Sequence, residues 1–261
     1  VVNNIYQNIL KSVLEKKKLL AVLIDPDKFP VERTDSFLLK VNASLATHIF
    51  VGGSTVDDFV TDILVSEIKK HSNLPVVLFP GDVTQITNKA DALLFLSLIS
   101  GRNPEYLIGK HVQAVSKLKG SNLEVVPTGY LLIEGGKVTA VERVTGEKPL
   151  SRTNVQDIVD TACAGHLLGM KLIYLEAGSG AKAPLTQRII SEVKKAVQLP
   201  IIVGGGIRSK AQLDAVYEAG ADLAVIGTAF EQDELFFEDL KAPSSAEQLL
   251  KEDNNDGAVI H

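Results

Sequence analysis

Eight short, uninterrupted runs of aliphatic and β-branched residues divide this chain, at 19–24, 48–51, 75–79, 92–96, 123–127, 171–175, 200–203 and 223–226. A strand with one wet face alternates apolar and polar residues. A continuous apolar run is what a parallel strand shows when both of its faces are covered. Segments with helical periodicity fall between most of the runs, at 54–71, 103–119, 154–168, 184–197 and 209–219. Strand–helix alternation repeated this often predicts an α/β protein, a (β/α)8 barrel of the TIM type, with a doubly wound open sheet as the structural rival. Two irregularities modify the barrel. Only 80–90 separate the third run from the fourth, which leaves room for a curtailed helix of one short turn. After the fifth run, LLIE and KVTAV flank Gly135 and Gly136 and predict a β-hairpin insertion above the barrel. Residues 4–17 predict a helix closing the bottom. The barrel is expected to fill 1–240 as one domain, with 241–261 a polar tail, loosely attached or partly disordered.

Charge and composition narrow the partners. The net charge is −5 and no basic block exceeds the three lysines at 16–18, so nucleic acid and anionic membrane surfaces are not expected to bind. No apolar run approaches the roughly 20 residues that span a bilayer, so no stable membrane insertion is expected. The amphipathic N-terminal segment lacks the compact apolar core of a signal peptide. The single cysteine, Cys163, fits a reducing cytoplasm and reads as a small core residue. An acidic chain that binds anions must do so with local devices: backbone N–H groups, helix N-termini or a metal ion.

In such a barrel, ligand groups gather at the C-terminal ends of the strands. The sixth run ends in Tyr174, Leu175, Glu176, Ala177, Gly178, Ser179 and Gly180; the seventh is followed by Gly204, Gly205, Gly206, Ile207 and Arg208; the eighth by Gly227, Thr228 and Ala229. Glycine turns on three neighbouring strands let backbone close on an anion, each ahead of a helix whose N-terminal amides point at the same space. They predict a phosphate cradle, where any one turn alone would read as a simple tight turn. Arg208 either reaches the anion or points to solvent. Across the mouth, Asp25 follows the first strand and Ser54 the second. Either alone reads equally as a helix cap. Together they offer hard oxygen ligands of the kind Mg²⁺ accepts, with water and substrate oxygens completing the shell. Asp27 stands behind that site or pairs with Lys28. The five histidines show no zinc spacing, and no nucleophile elbow, P-loop or dinucleotide fingerprint is present.

The motifs LIDPDK, VGGSTVDD, LFPGDVTQI, SGRNPEYLIGKH, TGYLLIEGGK, YLEAGSGA, VGGGIRS and VIGTAFE, in this order from about Lys18 to Phe230, resemble the geranylgeranylglyceryl phosphate synthase family. Bacterial heptaprenylglyceryl phosphate synthases are more distant relatives. YLEAGSG is the most specific block, because GGGIR and GTA alone fit many barrels. The resemblance implies a modified TIM barrel that moves a prenyl group, geranylgeranyl by default, from its diphosphate to the 3-hydroxyl of sn-glycerol 1-phosphate, using Mg²⁺ and releasing diphosphate. It implies Asp25 and Ser54 as metal ligands. It also implies 174–180 with Gly205, Gly206, Gly227 and Thr228 as the glycerol phosphate site, and a homo-oligomer. One position departs from it: where some relatives carry a phosphate-binding lysine two residues before the metal aspartate, this chain has Leu23.

Within that frame Glu176 is the candidate base for the glycerol hydroxyl, or only its hydrogen-bond acceptor. Tyr174 either hydrogen-bonds substrate or flanks the cationic carbon. Arg102, Asn103 and Lys110 either meet the diphosphate or lie on a helix surface. The prenyl tail is expected along the thin wall at 81–90, past Phe79, Phe95 and Leu98, each of which reads equally as ordinary core. Two rivals remain. A sugar-phosphate isomerase, aldolase or cyclase needs a catalytic lysine or acid/base pair inside the barrel, and Lys171 starts a strand at the wrong end. A non-catalytic phosphometabolite-binding barrel leaves Asp25, Ser54 and Glu176 without a task.

Overall fold

The computed structural model describes residues 4–53, 57, 59–232 and 236–241. Eight parallel strands, β1 (Leu19–Ile24), β2 (His48–Val51), β3 (Val76–Leu78), β4 (Ala92–Leu98), β5 (Glu124–Leu132), β6 (Leu172–Glu176), β7 (Ile201–Gly204) and β8 (Leu223–Ile226), close in sequence order. β8 returns to β1 with Ala224 opposite Leu20. Around them lie α1 (Ile5–Leu14), α2 (Thr34–Ala43), α3 (Val60–His71), α4 (Lys110–Leu118), α5 (Ala140–Thr145), α6 (Val155–Leu167), α7 (Gln187–Ala196), α8 (Lys210–Glu218), α9 (Thr228–Gln232) and α10 (Phe236–Asp239). A π-helical turn, Glu105–Gly109, leads into α4. None of the helices described is long and apolar enough to cross a membrane.

Side-chain alternation explains why the strands read as unbroken apolar runs. Leu19, Ala21 and Leu23 point into the barrel with Phe50, Val77 and Leu94, while Leu20, Val22 and Ile24 pack under the helices with Leu38 and Leu64. The same parity continues past the strand ends. After Ala21 and Leu23 the next inward position is Asp25; after Leu172 and Tyr174 it is Glu176; after Leu223 and Val225 it is Gly227. Two carboxylates are thereby delivered to the mouth.

The lower end is closed as expected. Ile5 and Ile9 of α1 join the interior cluster, and the Glu124 carboxylate accepts the N–H groups of Ile5 and Tyr6, an anion on a helix N-terminus. A pre-strand side chain also takes an N–H from the start of the neighbouring strand in three places. Thr47 takes Leu20 N–H at 3.0 Å, Asp91 takes Val76 N–H at 2.7 Å, and Asp222 takes Ile201 N–H at 2.8 Å. Lys171 lies here too, 5.1 Å above the Tyr6 ring, far from any ligand at the mouth. On the outer wall Phe230 stacks on Phe237 at 4.0 Å, and Phe237 meets Phe37 of α2 at 5.3 Å. The expected tail falls, from 242 onward, outside the described residues.

Between β3 and β4 only a 3-10 turn, Val83–Gln85, takes the place of a helix, as its spacing predicts. The β-hairpin expected after the fifth strand is absent. β5 instead runs on to Leu132, Ile133 makes one parallel bridge to Leu150, and KVTAV does not form a strand. Thr139 accepts Glu142 N–H at 3.0 Å while Glu142 reaches back to Thr139 N–H, and this reciprocal cap starts α5. A T-x-x-E box at a helix start outweighed the β-branched content around it.

Candidate active site

One cavity of about 400 Å³ opens at the C-terminal ends of the strands and has two parts. Its polar head lies among Glu176, Ser179, Gly205, Gly206 and Thr228. Its apolar arm runs sideways past Phe79, Val83, Phe95, Leu98 and Ala114 to the thin wall at β3–β4. Phe95, on the outer face beside His111 of α4, and Leu96, on the inner face, are only half-buried in the middle of an otherwise buried strand.

The glycine turns form the head. Gly205 and Gly206 have φ of +84° and +77°, and a methyl group on Gly205 would sit 2.6 Å from Glu176 Oε1 and 2.8 Å from Gly178 N. Only glycine satisfies both demands. The Ser179 and Thr228 hydroxyls meet at 3.1 Å, joining the β6 and β8 turns across the cradle. Gly178, Gly180 and Gly227 line it as well. Leu175 and Ala177, both expected in this site, do not: their parity turns them outward into the helix layer. Nor do three helices aim at the cradle, since only the short α9 starts there, at Thr228, while α7 and α8 begin farther on.

Glu176 is almost wholly buried, at 7% exposure. Burial pushes its carboxyl pKa up to about 7, tempered by Gly178 N–H, which donates to Oε1 at 2.6 Å, and by the Tyr174 phenol beside it. The Tyr174 hydroxyl is buried and closes no hydrogen bond of good geometry, although a methyl on Gly204 would touch both it and Glu176 Oε2. Burial and the Glu176 charge hold this phenol well above its ordinary pKa, so it remains a donor. Tyr174 packs with Phe79 at 5.1 Å and with Tyr130 at 5.2 Å, a ring cluster forming the cavity floor.

Across the mouth, the Asp25 carboxylate pairs with Lys28 and accepts Asp27 N–H at 3.2 Å. Any side chain at Gly53 would strike that carboxylate. Buried Gln85 holds Gly53 there, accepting its N–H at 3.2 Å and donating to its carbonyl at 2.7 Å. Ser54, the other expected ligand, lies outside the described residues. No cluster of three or more potential metal-binding acids, histidines or cysteines occurs among the described residues. A single carboxylate at an open mouth nevertheless suits Mg²⁺, which keeps most of its waters and takes substrate phosphate oxygens. The Lys28 ammonium against Asp25 shows that this carboxylate is placed to receive positive charge.

Of the three polar residues following the fourth strand, Lys110 lines the cavity and pairs with Asp82. Arg102 is folded onto the carbonyls of Ile99 and Gly101, and Asn103 accepts Glu105 N–H at 3.0 Å. Neither lines the cavity. Arg208 does, donating weakly to the Lys182 carbonyl at 3.4 Å. The sequence reading passed over Tyr130, Lys137, Thr139 and Gln85. Tyr130 lies beyond the apolar run that ends at 127, and Thr139 carries the helix-start signal described above.

Residues 11–244 match the model of the PcrB family. This chain belongs to that family. A geranylgeranylglyceryl phosphate synthase from Flavobacterium johnsoniae is 55% identical to it over 238 residues, 91% of this chain and 98% of the relative. One from Zunongwangia profunda is 55% identical over 226 residues, 87% of this chain and 96% of the relative. Among solved structures, (S)-3-O-geranylgeranylglyceryl phosphate synthase from Thermoplasma acidophilum, in complex with its substrate sn-glycerol-1-phosphate, superposes on this PcrB family chain with a TM-score of 0.85 at 32% identity. The match covers 90% of this chain and 95% of that one.

Proposed function

We propose that this chain transfers a geranylgeranyl group from geranylgeranyl diphosphate to the 3-hydroxyl of sn-glycerol 1-phosphate, releasing diphosphate, as a cytoplasmic, Mg²⁺-dependent step of ether lipid synthesis. The observation that carries this reading is the shape of the cavity: one space joins a glycine cradle for an anion to an apolar arm through the barrel wall. An isomerase, aldolase or cyclase of sugar phosphates has no use for such an arm, and Lys171 lies at the other end of the barrel.

The cradle of Gly178, Ser179, Gly180, Gly205, Gly206, Gly227 and Thr228 binds the glycerol phosphate and turns its free hydroxyl toward Glu176. The prenyl tail follows Phe79, Phe95 and Leu98. Asp25, with Ser54, would hold Mg²⁺, which would supply charge neutralisation for the diphosphate leaving group. As the allylic C–O bond breaks, diphosphate leaves with the electron pair, the glycerol oxygen bonds to the allylic carbon, and Glu176 takes the hydroxyl proton. A carboxyl group near pKa 7 is suited to that task at neutral pH. Tyr174, protonated and without a partner, donates to a substrate oxygen, while its ring with Tyr130 and Phe79 offers π-faces to the cationic carbon. Fixing both reactants in one cavity contributes several kcal/mol to the rate.

The test is transfer of label from sn-glycerol 1-phosphate into a prenyl ether with geranylgeranyl diphosphate and Mg²⁺. No product with this donor, or with shorter and longer ones, overturns the reading. The active form is a homo-oligomer; Ile108, Val112 and Val115, spaced to share one helix face and all more than half exposed, suit burial by a second copy. Sedimentation as a monomer at assay concentrations removes this part.

A further inference from the structure

A phosphate ester held in the cradle brings negative charge close to a buried Glu176, in a chain that is itself acidic. Glycine turns supply dipoles, and a full positive charge has to come from a side chain. The first strand supplies none, because it presents Leu23, which packs against Gly227 at the cradle's edge. Five side-chain cations line the cavity: Lys28, Lys110, Lys137, Arg143 and Arg208. Four of them are engaged. Lys28 pairs with Asp25, Lys110 with Asp82, Arg143 donates to the Val138 carbonyl, and Arg208 donates to the Lys182 carbonyl. Lys137 alone has no hydrogen bond or ion pair among the described residues.

Its position matches that freedom. A Cβ on Gly180 would collide with Lys137 Nζ, so the ammonium sits directly over the turn that carries Gly178, Ser179 and Gly180. The backbone on either side is anchored to the same turn. Lys182 N–H donates to the Gly135 carbonyl at 3.0 Å, and the Thr139 methyl packs where a Gly178 Cβ would be. The lysine is thus presented from a fixed base, immediately before the capped start of α5.

We propose that Lys137 is the cationic contact for the phosphate group of the acceptor substrate, reaching down from the segment over the mouth where no barrel strand offers a charge. This rests on the glycerol phosphate reading above and deepens it.

The experiment is calorimetric binding of sn-glycerol 1-phosphate to the full chain and to Lys137→Ala, Lys137→Gln and Lys137→Arg, followed by steady-state kinetics with both substrates varied. A charge-assisted contact to phosphate predicts binding weaker by about 10- to 100-fold in the Ala and Gln variants. KM for glycerol phosphate should rise in parallel, KM for the prenyl diphosphate should stay within about twofold, and Lys137→Arg should recover most of the loss. Glycerol phosphate binding unchanged in Ala and Gln overturns the inference while leaving the acceptor assignment intact. So does an effect confined to the prenyl diphosphate, which would place the lysine on the donor instead. If the unaltered chain does not bind sn-glycerol 1-phosphate at all, the acceptor reading itself fails.

Discussion

At the lower end of the barrel Thr47, Asp91, Asp222 and Glu124 each take a backbone N–H from a neighbouring strand or helix. At the upper end the Tyr174 hydroxyl and the Lys137 ammonium have no partner among the described residues, and Glu176 is buried at a cost to its charged form. The same alternating strands build both ends. The difference lies in whether the polar group beyond the last apolar residue is spent on its neighbours or kept available. A polar group satisfied inside the protein contributes stability, and one left waiting is available to a ligand at a cost in stability. Substitutions at the two ends should therefore separate activity from stability.

The largest effect is expected at Asp25. Asp25→Asn should lower Mg²⁺-dependent turnover by about a thousandfold, the scale of a lost metal contribution, while calorimetry shows glycerol phosphate still bound. Unchanged turnover would remove Asp25 from the reaction.

Glu176→Gln should lower the rate by about 100- to 10,000-fold and at the same time stabilise the barrel. The sign follows from the raised pKa. The unfolded carboxyl titrates near 4.5 and the folded one near 7, so the unfolded state loses its proton first and stability falls as pH rises through that window. Above pH 7 the penalty is about 3 kcal/mol, and the amide removes it. Denaturant unfolding at pH 8 should show the gain, and at pH 4 little or none. The unaltered enzyme should gain activity with an apparent pKa near 7. A flat pH–rate profile would leave Glu176 only a hydrogen-bond acceptor.

Asp222→Ala should do the reverse. It leaves Lys194 and Ile201 N–H without their partner and should lower stability by about 2–3 kcal/mol with kcat unchanged. A matching loss of activity would mean that the two ends are coupled. The smallest effect is expected from Thr139→Ala. It removes the cap of α5 at about 1 kcal/mol, visible as faster amide exchange at 140–145 with global unfolding unaltered.

Much of the lower and inner architecture was legible in the sequence because it rests on local pattern. Three of the eight strands match their apolar runs residue for residue, and standing at the C-terminal ends of the first and sixth runs was enough to place Asp25 and Glu176 at the mouth. The covering segment was not legible. KVTAV has a β-strand's composition and also the start of a capped helix, and the Thr139–Glu142 box together with contacts to the β6 turn decides between them. Lys137 was invisible for the same reason, since its relation to Gly180 exists only once 135–139 is folded across the barrel. Leu175 and Ala177 show the opposite case: they lie inside the most specific motif, but along β6 only alternate side chains, Tyr174 and Glu176, face the cavity.

The thin wall at β3–β4 has a thermodynamic corollary. Phe95 on the outer face of β4 and Leu96 on its inner face are both half-buried, and both border the apolar arm of the cavity. The hydrophobic core is, at that point, unfinished. A lipid tail lying along these side chains, as proposed, would complete it, removing from water surface that the chain itself leaves exposed. Ligand and folding are then linked by mass action: a prenyl diphosphate at about one hundred times its dissociation constant adds about 2.7 kcal/mol to the folded state. The thermal midpoint of this protein becomes a gauge of how well a given chain length fills the missing layer, readable without any turnover.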